Sequence, residues 1–117
     1  MLERLATTSV LAAEMPPGYT HIKIVRLPRN QRIATVGGVR IDFSNAHTTV
    51  SESFALMKTN AAARLFAQTE EKIDGGNLFH VRAVAVGRFV VGATGRTVPE
   101  ASRLLRLAVT YYRRVHG

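Results

Sequence analysis

A chain of 117 residues with 46% apolar side chains is long enough to bury one core as one domain, and too apolar to be disordered. It contains no cysteine, which excludes disulfides, thiolate metal sites and cysteine nucleophiles, and no apolar run approaches the ~20 residues that a membrane-crossing helix needs. The net charge of +8 favours anionic partners such as nucleic acid, anionic lipid or an acidic polymer.

Residues 1–117 are expected to form a single α+β domain, with 1–15 a peripheral helical or extended segment. Leu5–Ala13 is helix-compatible and stops at Met15-Pro16-Pro17-Gly18-Tyr19, because a proline disfavours helix at the residue before it. Met1–Glu14 does not read as a signal peptide: Glu3 occupies the would-be basic region and Ala6–Ala13 is short. His21–Leu27 alternates, with Ile22 and Ile24 on one side, which predicts a strand that Pro28 and Asn30 break. Arg32–Val36 and Val39–Ser44 flank Gly37-Gly38, a pair that suits a two-residue hairpin turn. Val39, Ile41 and Phe43 then share one face, with Arg40 and Asp42 on the other. Asn45–Ser53 is polar and is either a loop or the exposed start of a strand that turns apolar at Phe54–Met57, and a loop entering that strand is the favoured reading.

Asn60 predicts an N-cap for a helix over Ala61–Ile73, whose apolar face is Ala62, Leu65, Phe66 and Ile73, and Asp74-Gly75-Gly76 ends it. Leu78–Val86 and Phe89–Thr94 flank Gly87-Arg88, a II′-type hairpin sequence, and their Val, Phe and Ala content predicts central strands. Thr97-Val98-Pro99-Glu100 matches a capping box at the start of a last helix. That helix carries the apolar stripe Ala101, Leu104, Leu105, Ala108, Tyr112 and Val115, with Arg103, Arg106 and Arg113 opposite. The order predicts a two-layer sandwich: a mostly antiparallel sheet with both helices on one face, ferredoxin-like or related, in which the step from Lys58 to Phe79 either pairs parallel strands or skips a neighbour.

The chemistry-bearing residues are sparse. His21, His47, His80 and His116 have no partner at metal-ligand spacing, so neither a metal nor another cofactor is expected. The densest polar cluster runs from Asp42 to Glu52, and Asp42, Ser44, Asn45, His47 and Thr49 are its candidate ligand-binding residues. No Gly-x-Ser-x-Gly elbow, Gly-x-Gly-x-x-Gly or Gly-Lys-Ser/Thr motif is present, so the chain reads as non-enzymatic. Positive charge is uneven. Residues 21–40 hold Lys23, Arg26, Arg29, Arg32 and Arg40 with no acid, and residues 75–117 hold seven arginines against Glu100 alone. Lys23, Arg26, Arg82, Arg103 and Arg106 are therefore the candidate polyanion contacts. Tyr19, Tyr111, Tyr112, Phe79 and Phe89 are expected in the core rather than on a base-stacking surface.

Two stretches resemble known families. Val10-Leu11-Ala12-Ala13-Glu14-Met15-Pro16-Pro17-Gly18-Tyr19 resembles the opening of small secreted or lipid-anchored domains of the bacterial cell envelope. The likeness continues through Phe54–Ala67 and the Val81–Val109 hairpin and helix, although Met15 stands where a leucine is usual and the thiols of many such lipoproteins are missing. It implies an extracytoplasmic, non-catalytic binding or interaction module, with a protein or an anionic polymer as partner. Gly87–Gly95 and the Glu100-Ala101-Ser102-Arg103 helix are similar to the last hairpin and helix of one repeat of a TATA-box-binding protein, without its intercalating phenylalanine pairs. The alternative function is thus nucleic-acid or polyanion binding, and a homodimer through a sheet face or edge is a further expectation.

Overall fold

The computed structural model describes residues 15–73 and 79–116. The expected helix at Leu5–Ala13, the stop at Asp74-Gly75-Gly76 and the strand start at Leu78 lie outside these residues.

Five strands form one antiparallel sheet in the order β1-β2-β3-β5-β4. They are β1 (His21–Leu27), β2 (Thr35–Ser44), β3 (Thr49–Met57), β4 (His80–Val86) and β5 (Phe89–Gly95). Helix α1 (Asn60–Lys72) links β3 to β4, and α2 (Val98–His116) follows β5. This is an α+β fold, with the mostly antiparallel sheet and two helices that the sequence predicts. The β3–α1–β4 step does skip a neighbour, since β5 lies between those strands.

Two features of the expected architecture are corrected. First, the helices cover opposite faces of the sheet rather than one, so the domain has three layers. Ala63 and Ala67 of α1 pack with Ala55, Met57, Ala83 and Val90. Leu104, Ala108 and Tyr111 of α2 pack with Phe54, Phe89, Val91 and Ala93. Successive strand residues point to opposite faces, so Phe54 and Ala55 cannot serve the same helix. Both faces of β3 and β5 are buried, which fits their apolar runs Phe54-Ala55-Leu56-Met57 and Phe89-Val90-Val91. Second, β5 is central but β4 is an edge strand.

The Gly37-Gly38 pair is not a turn. Both residues lie inside β2, beside an irregularity in the β2–β3 register between Thr35 and Gly37. At Gly38 the value of glycine is space rather than φ: a Cβ there would collide with the Phe54 carbonyl oxygen. The β1–β2 connection is instead the stretch around a short 3-10 turn, Gln31–Ile33, clasped by Asn30 N–H donating to Thr35 O at 3.0 Å and Thr35 N–H to Asn30 O at 2.9 Å. The β2–β3 turn is built by Asn45, whose Oδ1 accepts from the N–H groups of His47 at 2.8 Å and Thr48 at 2.9 Å. Thr49–Ser53, expected as loop, belong to β3. Gly87 does adopt the positive φ (60°) that its hairpin turn needs.

Helix α1 is capped one residue earlier than expected: the Thr59 hydroxyl, not Asn60, accepts from Ala62 N–H at 3.0 Å. In α2, Thr97 Oγ1 accepts from Glu100 N–H at 3.1 Å, half of the predicted capping box. The other half is displaced by one residue, because Glu100 Oε1 accepts from Arg96 N–H at 2.7 Å. Tyr111, absent from the expected stripe, is fully buried edge-on against Phe54 at 5.7 Å, while Tyr112 packs on Phe89 at 5.2 Å.

Candidate functional site

A concavity of about 490 Å³ lies between α1 and the β1–β2 connection. Its origin is visible in the helix. Small Ala63 and Ala67 form the seam that meets the sheet. Ala62 and the larger side chains Leu65, Phe66, Thr69, Glu70 and Ile73, spaced i, i+3, i+4, i+7, i+8, i+11, form a second stripe rotated by about 100° from that seam. Ile33 and Ala34, presented by the 3-10 turn, form the facing wall. Ala34 holds a left-handed backbone (φ 57°), and its carbonyl accepts from Lys58 N–H at 3.0 Å, which ties that wall to the β3–α1 corner. The expected apolar face of α1 is therefore real, but Leu65 and Ile73 stand exposed at the groove, while Phe66 and Ala62 pack beside the alanine seam against the core.

Leu65, Ile73 and Ile33 are 65%, 56% and 45% exposed. Aliphatic side chains scattered singly on a surface need no explanation, whereas three around one cavity form a patch. The groove has few polar groups. Thr69 Oγ1 donates to Leu65 O at 2.9 Å and is committed to its own helix. Glu70 is half-buried, and desolvation raises its carboxyl above the ordinary carboxylate range. Arg32 is exposed at the rim. A single acid and a single arginine in a mostly apolar groove can orient a ligand.

The polar residues predicted as a ligand site occupy another place. Asp42, Ser44 and Thr49 share the sheet face opposite Ile41 and Phe43, with Ser44 facing Thr49 and Asp42 facing Ser51 across the β2–β3 ladder. Asn45 and His47 are in the turn. Asp42 accepts from Arg40 Nε at 2.9 Å and Nη2 at 3.2 Å. Asn45 also donates through Nδ2 to Gly18 O at 3.0 Å, so its side chain is occupied in building the turn. His47 is exposed and does not bond Asp42, and neither residue lines the groove. Among the described residues no three His, Cys, Asp or Glu side chains gather as metal donors.

The candidate polyanion residues are not one patch. Lys23 lies opposite Asp42 and Arg26 opposite Val39, hence on different faces of β1. Arg82 belongs to β4, at the other edge of the sheet, about 19 Å away at ~4.8 Å per strand step. Only Arg103 and Arg106 share both an element and a face, the exposed side of α2.

The sequence reading missed a partly buried clasp. Tyr19 Oη donates to Glu100 Oε2 at 2.8 Å, and Arg96 Nη2 pairs with the same oxygen at 3.1 Å. Hydrogen bonds from the Arg96 side chain, then from its backbone N–H and from Tyr19, outweigh desolvation and lower the Glu100 carboxyl to about 2. The groove was equally hidden, because its two walls are some thirty residues apart in the chain; the one available signal was an alanine seam beside a stripe of larger residues. No described helix is long and apolar enough to cross a membrane. In comparison with known proteins, no family model, no curated protein and no solved structure matches the chain. What the fold and groove define is a three-layer α+β domain with an apolar groove beside α1.

Proposed function

We propose that this domain is a non-enzymatic binding module whose ligand is an apolar group received in the groove between α1 and the β1–β2 connection. The observation that carries this reading is the exposure of Leu65, Ile73 and Ile33 around one cavity of about 490 Å³. That volume and apolar lining match the ordinary range of small-molecule sites, about 300–1,000 Å³. Covering such side chains is favourable by up to about 1.5–3 kcal/mol each. Glu70 and Arg32 supply the few polar contacts that fix orientation. The proposal keeps the non-catalytic interaction role implied by the envelope resemblance, and places its site at the groove rather than at Asp42, Ser44, Asn45, His47 and Thr49.

The test is titration with N-phenyl-1-naphthylamine, a neutral apolar fluorophore that the arginines do not attract. Saturable, one-to-one enhancement is expected, weakened about tenfold or more by Leu65→Asp, the loss of ~1.4 kcal/mol or more of apolar contact. Absence of saturable binding, or equal binding by Leu65→Asp, defeats the reading.

A further inference from the structure

Helix α2 holds a second surface, on the opposite side of the sheet from the groove. Arg103, Arg106 and Arg113 are exposed. At 100° and ~1.5 Å per residue they fall within an arc of about 80° and along a line of about 15 Å. Their direction is roughly opposite to that of the buried Ala101, Leu104, Ala108 and Tyr111. Other arginines of the domain have structural work: Arg96 pairs with Glu100, Arg40 pairs with Asp42, and Arg88 Nε donates to Met57 O at 3.0 Å. Arg103, Arg106 and Arg113, three of the four arginines of α2, make no ion pair among the described residues, and α2 carries no acid beyond Glu100 in its first turn.

We infer that this arginine ridge binds the phosphodiester backbone of nucleic acid without reading its sequence. A guanidinium is a planar fork that matches phosphate oxygens bidentately, and three in line along a helix fit a row of phosphates. An arginine can read a guanine edge, but fuller readout adds amide side chains or aromatic faces, and α2 carries no Asn or Gln. Here the aromatics of α2 are spent in the core, Tyr111 on Phe54 and Tyr112 on Phe89. A bilayer is the less suited partner, because interfacial helices gain binding from apolar side chains inserted beside the basic ones, and the large apolar residues of α2 face the sheet. The footprint is narrower than the charge distribution alone suggests: Lys23 and Arg26, at the β1 edge, are outside it.

Fluorescence anisotropy with a labelled duplex of about 20 base pairs tests the inference, because each phosphate contact releases counterions. Three contacts give a log–log salt slope near −3 and an affinity loss of about 40-fold between 50 and 200 mM salt. Each single Arg→Gln change at 103, 106 or 113 lowers the slope by about 1, and the triple change removes binding. The control Lys23→Gln/Arg26→Gln stays within about threefold of the parent, since exposed charges beyond a Debye length are largely screened. Thermal melts confirm that each variant is folded, and the single changes serve if the triple one is not. The inference is overturned if the parent does not bind, if the triple variant binds like the parent, or if the control loses as much. It is also overturned if phosphatidylglycerol vesicles capture the chain at concentrations where the duplex does not. Naphthylamine binding is unchanged by all ridge variants, so failure of the groove and failure of the ridge are distinguishable.

Discussion

The Tyr19 hydroxyl donates a 2.8 Å hydrogen bond to the carboxylate of Glu100, 81 residues further along the chain. It joins the segment entering β1 to the first turn of α2, so one side chain serves as helix cap, ion-pair partner and tertiary tie. Hydrogen bonds to a charged acceptor contribute about 1.5–3 kcal/mol each, and Tyr19→Phe, which keeps the buried ring, is expected to lose about that amount in urea unfolding.

The same carboxylate sets an acid limit on stability. The Glu100 carboxyl is lowered from 4.5 to about 2 in the folded state, chiefly by Arg96. The unfolded chain therefore binds the proton first as pH falls. The contribution of this group is complete above about pH 4.5 and disappears progressively down to about pH 2. Urea melts between pH 6 and pH 2.5 should show this decline, and Glu100→Gln should flatten it while lowering stability at pH 6. An identical acid limb in Glu100→Gln would assign the decline to other groups.

The two stripes of α1 make opposite predictions. Ala67→Leu forces extra volume between the helix and Ala55 or Ala83, at about 1–3 kcal/mol of overpacking. Leu65→Asp, on the groove side, should change stability by less than about 0.5 kcal/mol, as exposed positions usually do. Equal destabilisation by both would place Leu65 in the core.

That contrast explains what the sequence made legible. Period-two alternation revealed the face carried by Val39, Ile41 and Phe43, and local cap chemistry revealed the start of α2, because both are written within a few residues. Hydrophobic periodicity found the stripe of α1 but assigned it to the core, since a helix seated on alanines hides its contact among its smallest side chains. The side of the sheet that each helix covers is decided by which of two alternating rows, Phe54 or Ala55, it meets, and nothing local to either helix states this. The groove needs Ile33 and Leu65 together, and the clasp needs Tyr19 and Glu100, so both are properties of the fold alone. In the predicted cluster, Asp42, Ser44 and Thr49 share one face of the β2–β3 ladder, while the side chains of Asn45 and Asp42 are committed to a turn and to Arg40.

Two glycines separate the two reasons for which glycine is used. Gly38→Ala places a Cβ against the Phe54 carbonyl and must part β2 from β3, an overpacking cost at the upper end of about 1–3 kcal/mol. Gly87→Ala meets nothing within 4 Å and costs only the positive φ, about 1–2 kcal/mol. Asparagine, which tolerates that φ, should recover most of the loss at 87 and none at 38. Thermal melts of the four variants decide it.

The β4 edge offers the last prediction. An edge strand presents unpaired N–H and C=O groups that invite pairing with another chain. Here α1 protects it: Glu71 Oε1 accepts from Ala83 N–H at 3.2 Å, beside the exposed Val84. Glu71→Ala removes both the acceptor and a negative charge from that edge. It should cost about 1 kcal/mol in the isolated domain, the net worth of a typical hydrogen bond. Its larger effect should be on association, read as light scattering that rises with protein concentration at temperatures where the parent stays clear. Adding a lysine at the neighbouring position, Val84→Lys, restores a charged edge without restoring the hydrogen bond. If the double variant scatters as little as the parent while remaining about 1 kcal/mol less stable, edge protection and stability are separate consequences of Glu71. If scattering follows stability in all three proteins, the edge is not the route of association.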